Sequence, residues 1–414
     1  MLLQFKFANF RSFADETVFN MTATPIREHK NSLIEKNGVQ VLPVAAFYGA
    51  NASGKSSFFM AFNAMCNLIE GVLGRDTKDY FFHEKHLDTF TLDDKYIEKP
   101  TEFEACIAIN DFEYRYGFEY SKEKVLCEYL YKRKLSKNKT VEKAIFERFN
   151  GKVTCNANSA LKKEIEYCAS MCVDNSLLLT DLGRRNNIAE FYDIYKWFQS
   201  VLFLQRWTDI NFSEIIIEHI AETVFNSEKT DDIELKNSIL RLITEIDGGL
   251  VSIKSVEKKA DKGYVLMSER LYDGTIKEVP FSIESDGTKR LLSLSHSVFL
   301  ALKHGICCFI DESDLRLHPL LLRKIVHMFK NKDINKNGAQ LVFSAHNIIN
   351  LDSSDLRRDE VWFVEKHNHK STIFSLYDYE DEDGGDIRSD LNYGKHYLSG
   401  RFGAIPFQDK VGDE

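Results

Sequence analysis

The run Val44–Tyr48 is wholly apolar. It leads directly into Gly49-Ala50-Asn51-Ala52-Ser53-Gly54-Lys55-Ser56-Ser57 and then into a second apolar stretch reaching Leu73. No other feature limits the fold as tightly. A buried strand, a glycine-bounded loop and an apolar helix in that order form a unit that belongs inside an α/β sheet. Glycines let backbone N–H groups curl around an anion, and the helix N-terminus adds partial positive charge. Lys55 is positioned to reach the β- and γ-phosphates of a nucleoside triphosphate, and the Ser56 hydroxyl to hold Mg²⁺. The expected phosphate-contacting set is Gly49, Asn51, Ser53, Gly54, Lys55, Ser56 and Ser57. A chance glycine-rich turn would lack the flanking strand and helix.

Two later runs have the same strand form. Ile306–Ile310 is continuously apolar and ends in Asp311-Glu312. Strands buried on both faces of a parallel sheet read this way, and ligands bind at the carboxyl ends of such strands. Asp311 is expected to hold Mg²⁺ through water, and Glu312 to orient and deprotonate an attacking water. A helix cap is the bland alternative for this pair. The stretch "QLVFSAHN" ends at His346, which can hydrogen-bond a γ-phosphate from the end of its strand.

Around these strands the chain divides into three parts. Residues 2–7 and 17–22 read as a hairpin, 75–100 as loop, and 102–149 as an antiparallel meander of alternating strands. Together they make an N-terminal lobe over 1–160. A helical insertion spans 161–248, with "EFYDIYKWFQSVLFL" its densest apolar stretch and a helix over 232–245 stopping at Asp247-Gly248-Gly249. Strands near 250–257 and 263–270 open the C-terminal lobe, 249–414. The tail from Gly384 onward is polar and loop-rich. The net charge of −9 gives no general attraction to nucleic acid, although a local basic patch remains compatible with it. No apolar run approaches the roughly 18 residues of a membrane span. The alternating start "MLLQFKFANFRSF" reads as a strand and not a leader. Eight cysteines without C-x-x-C pairs fit a reducing compartment, so a cytoplasmic protein is expected, with Cys307 and Cys308 as small core residues.

One polar knot remains, "FSIESDGTKRLL" over Phe281–Leu292. A serine hydroxyl beside unpaired helix N–H groups makes an anion site. The order phosphate loop, Ser-x-Gly knot, Asp-Glu strand and histidine strand resembles the ABC-type ATPase heads of the SMC/Rad50 group. That resemblance implies an α/β P-loop ABC-type ATPase head, with an N-terminal antiparallel β-subdomain and an inserted helical region. It implies ATP and Mg²⁺ as cofactors, and ATP sandwiched between two heads of a homodimer or higher oligomer. Ser285, Gly287 and Thr288 would then act on the nucleotide of the partner subunit, with Lys289 and Arg290 beginning the helix. "FKFANFRSFAD" resembles the first hairpin of Rad50-like heads, which implies Arg11 and Ser12 beside phosphate or ribose. An exposed turn arginine is the plain alternative.

Departures narrow the group. Asp286 stands where transporters have a glycine, and His318 where they have an aspartate. "GANASGKS", "ESDGTKRLL", "DESDLRLHPLL", "LRRDEVWFVEK" and "YLSGRFGAIPF" are similar to the AAA15/AAA21-type ATP-binding proteins of prokaryotic defence loci. Among these the chain resembles AbiL/RloA-like abortive-infection proteins, with the PARIS ATPase AriA as a cousin. The resemblance implies a separately encoded effector, of TOPRIM type or another nuclease. The stretch after His346 is too short for a TOPRIM domain of its own, and Asp378–Asp386 reads as a solvated acidic loop, not a metal site. Two other readings stand beside a defence ATPase: a Rad50/RecF-like enzyme acting directly on DNA, and a scaffold that binds ATP without turnover. No heptad pattern or C-x-x-C hook supports Rad50 itself. The meander and the tail aromatics Tyr397, Phe402 and Phe407 are the candidate partner surfaces.

Overall fold

The computed structural model describes residues 1–71, 89–121, 124–138, 140–156, 159–204, 216–258, 263–313, 319–379 and 391–404. At the centre of these lies a sheet in the order Leu202–Leu204, Cys307–Ile310, Gln340–Ser344, Val44–Tyr48, Val361–His367 and Lys370–Ser375. All neighbours are parallel except the last pair, which is an antiparallel hairpin. Every residue of Val44–Tyr48, Cys307–Ile310 and Gln340–Ser344 is buried, which is why these strands lack polar alternation.

Strand pleating sorts those buried residues onto two faces. Phe47, Phe309, Val342 and Trp362 enter one hydrophobic core, while Tyr48, Ile310, Phe343 and Phe363 enter a second. The helix Lys55–Glu70 fills the first core. Its Phe58 stacks on Phe47 at 4.4 Å, and its Phe62 meets Phe309 at 4.8 Å and Phe5 at 4.8 Å. Phe5 belongs to the antiparallel sheet that covers this helix. In that sheet Lys152–Cys155, Lys143–Phe149, Val125–Lys134, Phe112–Tyr120, Thr101–Ile109, Leu2–Ala8 and Thr17–Asn20 follow in order. The hairpin and the meander therefore form one sheet, joined where Leu2–Ala8 pairs with Thr101–Ile109. The second core is covered by the helices Thr230–Ile246, Asp286–His304 and Pro319–Lys330, through residues such as Ile239, Leu292 and Ile325.

Several sequence expectations are corrected. The first helix ends at Glu70 and not at Leu73, because Gly71 turns left-handed (φ 67°) and its N–H caps the Asn67 and Leu68 carbonyls. Within 161–248 the helix Ala189–Ser200 is followed by the strand Leu202–Leu204, an edge of the central sheet. The strands Leu250–Glu257 and Tyr264–Tyr272 are joined by a third, Thr275–Pro280. A short helix, Asp94–Ile97, interrupts the expected loop, and Tyr393–Leu398 is helical within the tail. Tyr397 and Phe402 are buried against Phe363, at 5.4 and 5.7 Å, so they form core and not a partner surface. Phe407, His318 and most of Asp378–Asp386 lie outside the described residues.

"LRRDEVWFVEK" has a structural task. Fully buried Arg357 donates through Nε and Nη2 to Asp359 at 2.8 and 2.7 Å. Arg357 also donates to the carbonyls of Glu28 and Thr24, and Asp359 accepts from Thr24 N and Oγ1. A buried guanidinium is tolerated here because its donors find acceptors. The cluster ties the segment around Thr24–Glu28 to the start of Val361–His367.

Candidate functional site

The phosphate loop leaves the carboxyl end of Val44–Tyr48 and enters its helix at Lys55. Gly54 takes φ 118°, and a Cβ there would lie 2.4 Å from Ser371 Oγ and 3.0 Å from Ser12 Oγ. Only glycine fits such a close approach. Ser371 Oγ donates to Ser53 O at 2.5 Å and lies 2.8 Å from Ser12 Oγ, while Ser371 N donates to Ser12 O at 2.7 Å. The hairpin turn that carries Arg11 and Ser12 is thereby bound to the loop. Arg11 itself has a left-handed backbone (φ 52°), and its Nη1 lies 2.9 Å from Met60 Sδ on the phosphate-loop helix.

Lys55 is buried, and its Nζ donates to the Gly49 and Ala50 carbonyls at 2.8 and 3.0 Å. The Ser53 hydroxyl is buried with no hydrogen-bond partner in the structure. Asn51 is exposed, and Ser56 and Ser57 are half-buried in the first helical turn. An orphaned hydroxyl, a lysine and a cradle only glycine can line suit a bound polyphosphate. The tail reaches the same loop: Ala50 N donates to Ala404 O at 3.0 Å, and Ala404 N to Glu365 Oε1 at 2.6 Å.

Asp311 and Glu312 stand one strand away, across Gln340–Ser344. The serine ending that strand ties them together. Ser344 Oγ donates to Asp311 Oδ1 at 2.6 Å and accepts from Glu312 N at 2.7 Å, and Ser344 O accepts from Ser313 N and Oγ. Glu312 is held at φ 52°, a backbone setting few non-glycine residues adopt. His346, two residues beyond Ser344, is exposed at the same edge of the sheet. The loop, the Asp-Glu pair and the histidine thus share one sheet edge, the usual position of a ligand crevice in parallel sheets.

Ser285, Gly287 and Thr288 belong to a separate network, on the helix that covers the opposite sheet face. Ser285 is the N-cap of Asp286–His304, and its Oγ accepts from Thr288 N at 3.1 Å. Thr288 Oγ1 donates to Asp247 Oδ2 at 3.2 Å. Arg270 joins Asp247 to Glu284, with Nη2 2.8 Å from Asp247 Oδ2 and Nε 2.8 Å from Glu284 Oε1. Its guanidinium hydrogen bonds hold both carboxyls below the usual carboxylate range. Ser285 and Asp286 remain exposed, so the helix N-terminus faces outward.

The family described as "AAA domain, putative AbiEii toxin, Type IV TA system" matches residues 44–155 and 181–353. The chain belongs to that family. The match to this AAA family spans the phosphate loop, the Asp-Glu strand and His346. The fold is an α/β P-loop ATPase head with an N-terminal antiparallel subdomain, and the P-loop family membership implies nucleotide binding. Among solved structures, the chain is similar to an SmcHead bound to the C-winged helix domain of ScpA, at 11% identity and TM-score 0.45, covering 90% of this chain and 97% of that one. It is also similar to the SMC head domain from Thermotoga maritima, at 15% identity and TM-score 0.42, covering 90% and 98%. No curated protein matches. Among the described residues no helix is long and apolar enough to cross a membrane.

Ser344, Ser371, Arg270 and Asp247 were missed by sequence reasoning. Ser344 had a signal, its place at the end of an apolar strand beside the Asp-Glu strand. The other three lie in ordinary polar surroundings and carry none.

Proposed function

We propose that this chain is an ATP-hydrolysing switch subunit of a prokaryotic anti-phage system of abortive-infection type, acting in the cytoplasm through a separately encoded effector. The observation that carries the ATPase reading is the convergence at one sheet edge of the phosphate loop and the Ser344-tied Asp311–Glu312 pair. Lys55 exchanges its two carbonyl partners for β- and γ-phosphate oxygens, and the orphaned Ser53 hydroxyl gains an acceptor. Ser56 and, through water, Asp311 would hold Mg²⁺, which would supply charge neutralisation on the phosphates. Glu312 takes a proton from the attacking water, and His346 hydrogen-bonds the γ-phosphate. Arg11 and Ser12 border the nucleotide, with Ser12 held by Ser371.

Kinship with AbiL/RloA-like proteins, which rests on the motifs quoted above, favours an effector of nuclease type; the family description supports the broader AbiEii-linked AAA group. We assign 1–160 and 249–414 as the two lobes and 161–248 as the insertion between them. Ser285, Gly287 and Thr288 complete the site of a second head in a homodimer. The outward-facing N-terminus of their helix and its place across the sheet from the phosphate-loop helix support this.

Turnover is tested by phosphate release. Lys55→Ala abolishes ATP binding or hydrolysis. Glu312→Gln keeps binding and loses about 10²–10⁴-fold in rate. Wild-type turnover in either variant refutes its assigned role. Ser285→Arg binds ATP but hydrolyses little, and mixing it with Lys55→Ala subunits restores part of the activity once subunit exchange is verified with differently tagged chains. Full turnover by Ser285→Arg alone refutes the shared site. Phage plating with and without the neighbouring gene, together with co-purification of its product, tests the defence role.

A further inference from the structure

A cavity of about 640 Å³ lies away from the phosphate loop, between the first hairpin, the segment Thr22–Lys30 and the meander. Its size falls within the roughly 300–1,000 Å³ range of small-ligand sites. Gln40 lines it and precedes the strand Val44–Tyr48, whereas the phosphate loop follows that strand. The two sites are therefore separated by about a strand length, roughly 16 Å.

The lining is chemically divided. Arg27, Lys30, Arg133 and Lys137 are its cations, and Glu113 is its one carboxylate. Glu113 is committed to Arg133. The other three cations are exposed, and none has a carboxylate partner among the described residues. A local excess of three positive charges on a chain of net charge −9 selects an anion. Nearby, Gln4 Nε2 donates to Asn20 Oδ1 at 2.6 Å. That bond leaves Gln4 Oε1 as an acceptor and Asn20 Nδ2 as a donor, beside the apolar side chains of Ile26 and Val39. An acceptor–donor pair, an apolar wall and a cationic rim suit the base edge, the base face and the phosphate of one molecule.

We propose that this cavity binds a nucleotide, as a second site distinct from the phosphate loop. Gln4 and Asn20 are cross-strand partners in the hairpin whose turn carries Arg11 and Ser12 to that loop. Occupancy of the cavity would then act on the hairpin that reaches the ATP site, a consequence that rests on the ATPase reading above.

The test uses the full chain with its phosphate loop saturated by Mg²⁺ and a slowly hydrolysed ATP analogue. Ribose-labelled fluorescent 5′-monophosphates of the four common nucleosides are titrated in, and anisotropy is followed. At least one binds saturably. The double reversal Arg27→Glu/Lys30→Glu weakens it at least tenfold, and Lys137→Ala weakens it less. Arg27→Lys/Lys30→Arg retains it, and affinity for the ATP analogue stays within twofold in every variant. Absence of saturable binding by all four probes overturns the proposal, as does binding indifferent to the charge reversal. Charge-dependent binding of a 20-nucleotide single strand without any monophosphate binding also overturns it, and assigns the rim to a nucleic-acid backbone. Because the readout is binding, a chain that never hydrolyses ATP leaves the test of the cavity intact. Altered phosphate release on adding the bound probe tests the coupling alone.

Discussion

Removing the Ser344 hydroxyl should damage the site from beneath, without touching a phosphate-contacting residue. Ser344 is fully buried and Asp311 is 3% exposed, so water cannot replace the lost bonds cheaply. The hydroxyl makes one charge-assisted bond to Asp311 Oδ1 at 2.6 Å and accepts one from Glu312 N at 2.7 Å. Such bonds contribute about 1.5–3 and 0.5–1.5 kcal/mol respectively, and the two share one atom. A loss of about 2–4 kcal/mol is therefore expected. Substitution also changes volume, so the clean comparison is Ser344→Thr against Ser344→Val. These share a shape and differ in the hydroxyl. Unfolding in urea followed by fluorescence gives the stability difference, and phosphate release with analogue binding gives the functional one. Thr should exceed Val by about 2 kcal/mol or more. It should also keep turnover that Val loses by about tenfold or more, with ATP-analogue affinity similar in both. Equal stability and equal turnover of the two variants would refute the role assigned to Ser344.

Burial lowers the pKa of His296, on the helix that carries Ser285, from 6.5 to about 4, with His219 adding a smaller effect of the same sign. The unfolded chain binds this proton near pH 6.5 and the folded chain does not. Stability should thus be full above pH 6.5, fall on acidification and level off near pH 4, by about 3 kcal/mol in all. His296→Asn should flatten that part of the stability profile, and an unchanged slope would refute it. Phe402→Ala should cost about 3–5 kcal/mol, since Phe402 is fully buried against Phe363. The same change should weaken ATP-analogue binding, because the Ala404 carbonyl that meets Ala50 N depends on this docking. Equilibrium unfolding and analogue titration check both, and unaltered affinity would separate the tail from the loop.

The parts of the fold legible in the sequence are those where burial leaves a pattern. Val44–Tyr48, Cys307–Ile310 and Gln340–Ser344 are covered on both faces, so each reads as an uninterrupted apolar run. Leu202–Leu204 has the same environment in part but follows its helix after a single residue, Val201. The apolar helix face and the strand therefore merge into one stretch. Thr275–Pro280 is exposed at almost every position, and no hydrophobic alternation marks it. Among candidate site residues, the glycines and Lys55 are legible because the loop's geometry dictates residue type at fixed spacing. Ser371 and Ser344 act through one hydroxyl each, from strands distant in sequence, and only tertiary structure brings them to the loop and to the carboxylates.

The Arg270 network bears on how the two proposed half-sites could communicate. The helix Asp286–His304 has 19 residues and is about 28 Å long, whereas the strand Cys307–Ile310 that follows it has 4 residues and is about 13 Å long. The tight turn at Gly305-Ile306 separates the two, and the amino half of the helix packs on the second core through buried Leu291, Leu292 and Leu294, with only its first residues, Ser285 and Asp286, exposed. An exposed helix end is a poor place to fix an anion site unless something braces it. The brace is Arg270 on the three-stranded sheet, which joins Asp247 at the end of the preceding helix to Glu284 beside the cap. Ser285 cannot shift without disturbing Thr288, Asp247 and, through them, the helix Thr230–Ile246. On the proposed reading, a partner's γ-phosphate pulling on Ser285 would move this braced assembly as a unit. Nucleotide state in one head would then be transmitted to the helix Thr230–Ile246 of the other, within the insertion whose strand Leu202–Leu204 edges the central sheet.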